Sequence, residues 1–345
     1  MRKLEWVVKP LTDCTELLWS NWQDLFQLYH SHNPMLDLRF VSTLVTFYPA
    51  HIYVAFGSVN HQISSIVLLE RKSLGQFCNY MPSQSQLALV LLKPGVDFNS
   101  HDLNIALGVS EVKLDLFSLD PQEHQGAIED IQQLQNYAQD IKLKIEGSFC
   151  DYWDKRPKRL KKDLARSIKR LNKSGKTLSK VITQSESDIE SAIDRYGMLE
   201  SAGWKGAKGT ALHPGNKQGQ FYGDLLHRFA KKQQALVFET YFDEELVASR
   251  LCIFNNNTLI ILKTTYNESY RRYCPGNINR FNLIEFLFKH KFTQFIDFYT
   301  SASKEQLYWS TEQRSMYNAT CYRNAFIEGL ASMAKSAKRL LQLVK

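Results

Sequence analysis

The sequence predicts an α/β (α+β) chain of mixed, mostly antiparallel sheets flanked by helices. Three observations predict it. The 345 residues, at roughly 100–200 per domain, divide into two domains that each bury a core. A chain with 44% hydrophobic and 23% charged residues is neither a disordered tail nor a fibre. Apolar residues recur at period two in some segments and at helical spacing in others, and the two kinds of segment alternate along the chain.

In the first half, Leu17 to His30 has helical spacing, and NPMLDLRFVSTLVTF, after a proline turn, has it again. Strands are expected at His51 to Phe56, Ile63 to Glu70 and Leu87 to Leu92. Val112, Leu114 and Leu116 alternate with other residues, Gln125 to Ala138 returns to helical spacing, and Ile141, Leu143 and Ile145 alternate once more. The second half opens on a basic segment, with eleven Lys or Arg between Asp154 and Lys176 against Asp154 and Asp163. Leu160, Leu164, Ile168 and Leu171 fall on one face of it, so it is an amphipathic helix docked by its leucines. The chain's net charge of +8 therefore describes one element and not the whole surface.

A strand follows at Leu178 to Thr183, then a helix from Ser187, with Ser187 and Glu190 at capping-box spacing, and a helix around Phe221 to Lys232. ALVFETYF, LVASRLCIF and TLIILKTTY form a three-strand meander joined by tight polar turns. RRYCPGN leads into a helix through Glu285 to Lys289, FIDFY is a short strand, and a last helix runs from Asn324 to Val344 with Lys335, Lys338, Arg339 and Lys345 beside leucines. The expected domains are 1–150, a connecting helix at 151–176, and 177–345.

Several function classes are excluded. No apolar run reaches the roughly 18–20 residues of a membrane span, and weak contact with a membrane surface is the most the last helix allows. Six cysteines without a C-x-x-C pair read as reduced thiols of a cytoplasmic protein with no export signal, and nine scattered histidines lack zinc-site spacing. ESAGWKGAKGTAL places Lys208 where a P-loop needs its second glycine, and Gly108-Val109-Ser110-Glu111 is followed by Val112, which breaks a nucleophile elbow.

The order strand, two helices, three meandering strands, helix, strand resembles the GNAT acyltransferase domain. ESAGWKGAKGTAL, KTTYNESYRRYCPGN and the IDF of Ile296 to Phe298 resemble its CelD-like, cellulose-biosynthesis-type branch, related to the Fem-type aminoacyl transferases. NPMLDLRF resembles that family's first, degenerate domain, so the resemblance implies a tandem pair with the cofactor in the second domain. Cys274 stands where the family more often has Ser, and YTSASKEQLYW lacks the glycine-rich stretch and Tyr-Lys pair usual after the D-F strand.

The resemblance implies transfer of an acetyl or other acyl group from coenzyme A to an amine or hydroxyl of a small or carbohydrate acceptor, without metal. The alternatives are a donor aminoacyl-tRNA gripped by the basic helix, or a binding protein that retains the fold. A diphosphate needs converging N–H groups at a helix N-terminus, which the turn of Cys274, Pro275, Gly276 and Asn277 provides, Pro275 opening the helix without an N–H of its own and Gly276 leaving room, with Arg271 and Arg272 beside them. Lys263, Thr265 and Tyr266 end the strand against which a pantetheine arm would lie. Tyr308 is the expected proton donor, with Glu239 and Asp297, carboxylates in apolar strands, as further catalytic candidates. Trp204 offers the acceptor a flat wall, and Glu200, Lys205 and Thr210 offer polar handles.

Overall fold

Turn formers and caps divide the periodic stretches into elements. In the computed structural model, which describes residues 2–108, 110–131, 134–299 and 301–333, the chain opens with β1 (Arg2–Lys3) and β2 (Glu5–Pro10). α1 (Thr15–Leu25) buries Leu18, Trp22 and Leu25 and passes into a π-helical turn at Phe26–His30. Asn33 then accepts a hydrogen bond from the Met35 N–H (3.0 Å), capping a 3-10 turn before α2 (Leu38–Phe47). The meander β3 (Ile52–Val59), β4 (Gln62–Ser73) and β5 (Gln76–Asn79) is followed by β6 (Val90–Leu92), β7 (Val96–Asp97), α3 (Ser100–Ala106), β8 (Lys113–Leu119), α4 (Pro121–Asp130) and β9 (Leu134–Lys144).

The second half runs α5 (Phe149–Asp154), α6 (Lys158–Lys173), β10 (Leu178–Thr183), α7 (Glu186–Ser201), α8 (Trp204–Ala207), α9 (Lys217–Ala230), β11 (Ala235–Phe242), β12 (Glu245–Phe254), β13 (Thr258–Tyr266), α10 (Pro275–His290), β14 (Phe295–Asp297), α11 (Lys304–Leu307) and β15 (Glu312–Tyr322), with residues 325–333 again helical. Lys335, Lys338, Arg339 and Lys345 of the expected last helix lie outside the described residues.

The chain forms two compact units, one of Met1–Ser31, Tyr48–Gln139 and Ser315–Lys345, the other of His32–Phe47 and Asp140–Arg314. Both are discontinuous, whereas the sequence suggested contiguous blocks, because α2 packs on α9 through Phe40 and Phe221 (ring centroids 6.5 Å) and the end of β15 pairs with β8. In the first unit β2, β3, β4 and β5 pair antiparallel, β5 and β8 parallel, and β8 and β15 antiparallel. In the second, β10 to β13 form an antiparallel run, β14 joins β13 in parallel, and the end of β9 pairs antiparallel with β14. Each unit is thus a mixed, mostly antiparallel sheet flanked by helices, the class the sequence predicts. The second core packs Leu283, Leu287 and Phe288 of α10 on Phe238, Cys252 and Ile296 of the sheet.

Four expected elements are corrected. The helix of Gln125 to Ala138 is two elements: Asp120, accepting from the Gln122 N–H (2.9 Å), starts α4 early, and the chain turns extended at Ile131 before β9. Leu87 to Leu92 is wholly buried, yet only Val90–Leu92 joins a ladder. The Leu17 to His30 helix widens to a π turn over its last five residues. The helix expected from about Ser187 starts at Glu186, with Ser185 at the N-cap position; Ser185 has an extended backbone and its hydroxyl donates to the Asp188 carboxylate (2.6 Å), in place of a capping box at Ser187 and Glu190.

His124 in the first unit carries a pH signature. It is wholly buried, its Nδ1 accepts from the Asp120 N–H (2.9 Å), and burial pushes its pKa down from 6.5 to about 4. The unfolded chain takes up a proton that the native state refuses. Stability is therefore expected to fall by about 3 kcal/mol as pH drops from about 6.5 to about 4, and to level off below. Denaturant midpoints across that window are expected to lose this slope in a His124→Gln variant.

Candidate active site

The site begins where β13 hands over to α10. Cys274 is left-handed (φ 51°), a conformation that side chains rarely adopt, and this reverses the chain so that Pro275 opens the helix. The Cys274 carbonyl accepts from the N–H groups of Asn277 (3.0 Å) and Ile278 (3.2 Å), closing the first turn. A Cβ placed on Gly276 would meet nothing nearer than Tyr266 Cδ1 at 3.7 Å, so the positive end of the helix dipole is open to close approach.

Cations collect around this turn. Arg250 of β12, 3% exposed, donates to the Gly276 carbonyl (3.0 Å) and to Asn279 Oδ1, and its Nε has no partner among the described residues. Arg280 lies over the rings of Trp309 (5.5 Å) and Phe298 (5.9 Å). Desolvation lowers Arg250 to about 9 and Arg280 to about 10. A cavity of about 420 Å³ is walled by Arg159, Arg166 and Arg170 of α6, by Cys274 just before α10, by Asn277 and Arg280 of α10, and by Tyr308 just after α11. Only two carboxylates, Asp163 and Glu305, line it against these four guanidinium groups. Leu160 and Leu164 dock α6 as its periodicity predicts, and that docking turns part of its basic face into the cavity wall.

The pairing of the two central strands forks: past Asp297 the Phe298 N–H donates to the Ile141 carbonyl on the β9 side (3.3 Å). β13 and β14 share three register pairs, Thr258 with Phe295, Leu259 with Ile296 and Ile260 with Asp297; β14 then ends while β13 continues to Tyr266. A one-residue bulge against β12, where Leu251 faces Lys263 and Cys252 faces Ile261, falls just past the fork. Lys263 beyond it is half-buried, its ammonium 5.4 Å from the Tyr222 ring, and desolvation lowers its pKa. Thr265 is half-buried, whereas Tyr266, Arg271 and Arg272 are exposed, and Arg272 lies over the Tyr273 ring.

The expected acceptor segment is tied to this region. The Trp204 N–H reaches Glu268 Oε1 at 3.5 Å, and Trp204 itself is 54% exposed with Lys208 over its ring (5.0 Å). Gly206 is obligatory, since a Cβ there would sit 1.8 Å from the Ser201 carbonyl oxygen. Glu200 is not the free polar handle the sequence suggested. It is buried and accepts from Tyr196 Oη (3.1 Å), Lys205 Nζ and the Leu212 N–H (2.7 Å), which makes it the strut of the loop. Thr210 closes the same loop on the Lys205 carbonyl (2.9 Å).

Glu239 and Asp297 are buried but are not free carboxylates. Both oxygens of Glu239 accept from Arg195 (2.9 and 2.7 Å), and Asp297 pairs with Arg314 (2.8 Å), which also holds Asp140 (2.7 Å). Of the three catalytic candidates, Tyr308 alone lines the cavity. Sequence reasoning missed Arg250, Arg280 and Arg314. The signal that singled out Glu239, a charge inside an apolar strand, is equally present for Arg250 in LVASRLCIF.

No curated protein matches the chain. Solved structures share its fold at low identity: the C-terminal DUF2156 domain of a protein from Agrobacterium fabrum assigned as a lysylphosphatidylglycerol synthetase has a TM-score of 0.56 at 10% identity, over 92% of this chain and 96% of that one. FemX has a TM-score of 0.56 at 8% identity, over 87% and 95%. L-PGS from Bacillus licheniformis has 0.51 at 10%, over 88% and 92%. Residues 158–306, which hold the fork, the α10 turn and the arginine-lined cavity, match the family model of the acetyltransferase (GNAT) domain, and the chain thus carries a GNAT-type domain in its second half.

Proposed function

We propose that the protein transfers an acetyl group, or another acyl group, from coenzyme A to an amine or hydroxyl of a small or carbohydrate acceptor. The observation that carries this reading is the open, cationic first turn of α10 beside a strand pair whose ladder ends after three register positions. The residues fit the donor: Gly276 leaves room for a phosphate against the backbone, and the surplus guanidinium charge suits a diphosphate. The edge of β13 past Ile260 presents main-chain groups to a pantetheine arm, and an N–H near Thr265 or Tyr266 polarises the thioester carbonyl. Tyr308, on the cavity wall, donates its proton to the departing thiolate. Trp204 and Lys205 form the acceptor side, held by Glu200. Glu239 and Asp297, each engaged by an arginine, serve as fixed charges that hold the strands.

Resemblance to the CelD-like branch supports a carbohydrate acceptor and a place in polysaccharide biosynthesis. A second reading, with aminoacyl-tRNA as donor, is favoured by one observation, the exposed basic face of α6, including Lys158, Lys162, Arg166 and Lys169. Calorimetric titration with acetyl-CoA separates the two. Saturable binding with micromolar affinity, about −8 kcal/mol, is expected. Absence of binding to any acyl-CoA, with salt-sensitive binding of tRNA instead, would replace the first reading by the second.

A further inference from the structure

Arg250 has no place in the reading above, and its surroundings are unusual. It sits mid-strand in β12, opposite Phe238 of β11 and Thr264 of β13, and is 3% exposed. A guanidinium in such a place normally has a carboxylate beside it, because stripping water from an unpaired charge costs several kcal/mol. Among the described residues the contacts of Arg250 are uncharged: the Gly276 carbonyl (3.0 Å) and Asn279 Oδ1, with Nε unsatisfied. Burial lowers its pKa, and a second cation, Arg280, acts in the same direction. Asn279 is itself wholly buried and donates to the Phe238 carbonyl (3.0 Å) and Thr240 Oγ1 (3.0 Å), so the first turn of α10 is bolted to β11 and β12 from beneath. The open side of that same turn is the Gly276 backbone.

We propose that Arg250 is a positioning residue for the donor's diphosphate: it fixes the first turn of α10 through the Gly276 carbonyl and Asn279, and its missing counter-charge is supplied across that turn by the bound anion. This inference rests on the coenzyme A reading. It deepens that reading by assigning the energetic difference between a donor that carries a diphosphate and one that does not to a residue that does not line the ligand cavity.

The test compares acetyl-CoA with S-acetylpantetheine, which keeps the thioester and lacks the phosphates, by calorimetry on the full-length protein. Arg250→Met is expected to weaken acetyl-CoA about tenfold or more while changing S-acetylpantetheine by less than about twofold, since charge acting through a helix terminus discriminates only against the anion. Arg250→Lys, which keeps the charge with fewer hydrogen bonds, is expected to recover most of the acetyl-CoA affinity. Circular dichroism checks that both variants fold; if the Met variant does not, the Lys variant decides, since a purely structural role predicts that it weakens both ligands alike. Equal loss for the two ligands, or Lys as weak as Met, overturns the inference while leaving the coenzyme A reading in place. Failure of the parent protein to bind acetyl-CoA overturns both.

Discussion

Gly276→Trp is expected to abolish acetyl-CoA binding while leaving the fold intact, with affinity falling by about a hundredfold or more, about 3 kcal/mol. The two halves of that expectation have separate causes. The Cβ direction at Gly276 points into open space, with Tyr266 Cδ1 the nearest atom at 3.7 Å, so the free protein has room to admit a side chain there. Gly276 also stands in the first turn of a sixteen-residue helix, where replacing glycine removes a backbone entropy penalty of up to about 1 kcal/mol. The melting temperature should therefore hold or rise slightly. An indole over the turn nevertheless occupies the volume through which a phosphate must reach the backbone. Gly276→Ala, which adds one carbon, should fall between the two. A Trp variant that binds acetyl-CoA as tightly as the parent would defeat the diphosphate assignment, and one that unfolds would mean that the turn is closed by packing and not open to ligand.

What was legible in the sequence followed from local rules. The meander of β11 to β13 has its bounds written in alternation and in polar turns at Asp243 and Asn255, and the docking face of α6 is set by leucines at helical spacing. The α10 turn was legible because Pro and Gly have few other uses immediately before a helix. The pairing of charges was not. Nothing near Glu239 in the chain announces Arg195, forty-four residues earlier, and nothing near Glu200 shows that Lys205 folds back onto it around an obligatory Gly206. The same limit explains the boundaries. Asn33 to Phe47 reads as a local helix after a proline turn, and only tertiary packing of Phe40 on Phe221 places it with the second unit. Helix and strand exchange at Gln125 to Ala138 has a third cause: Ala127, Ile128 and Ile131 fit helical spacing, and the extended backbone at Ile131 ends the helix before the ladder of β9 begins.

Asp297 ends β14 at the point where the strands part, and its role there is decided by its partner. Arg314 is 9% exposed and holds two buried carboxylates at once, Asp140 at 2.7 Å and Asp297 at 2.8 Å, with the Tyr299 ring 4.8 Å from its guanidinium carbon. Arg314→Met keeps the volume and removes the charge, leaving the two carboxylates facing each other in a desolvated corner. The expected loss is about 3–5 kcal/mol of unfolding free energy, the range found when one member of a buried ion cluster is deleted. The triple variant Arg314→Met, Asp140→Asn, Asp297→Asn should regain most of it, because stranded charge and not the lost contact is the source of the penalty. Asp297→Asn alone then separates structure from chemistry. If Asp297 fixes the fork, that variant lowers stability and acetyl-CoA affinity together, since β14 loses its anchor to Arg314 at the position paired with Ile260. If it instead serves as the proton acceptor, stability and affinity stay near the parent's while turnover collapses by about 10²–10⁴-fold. The ion pair and the burial of both partners predict the first pattern, and urea titration of the four proteins beside their acetyl-CoA isotherms reads it directly.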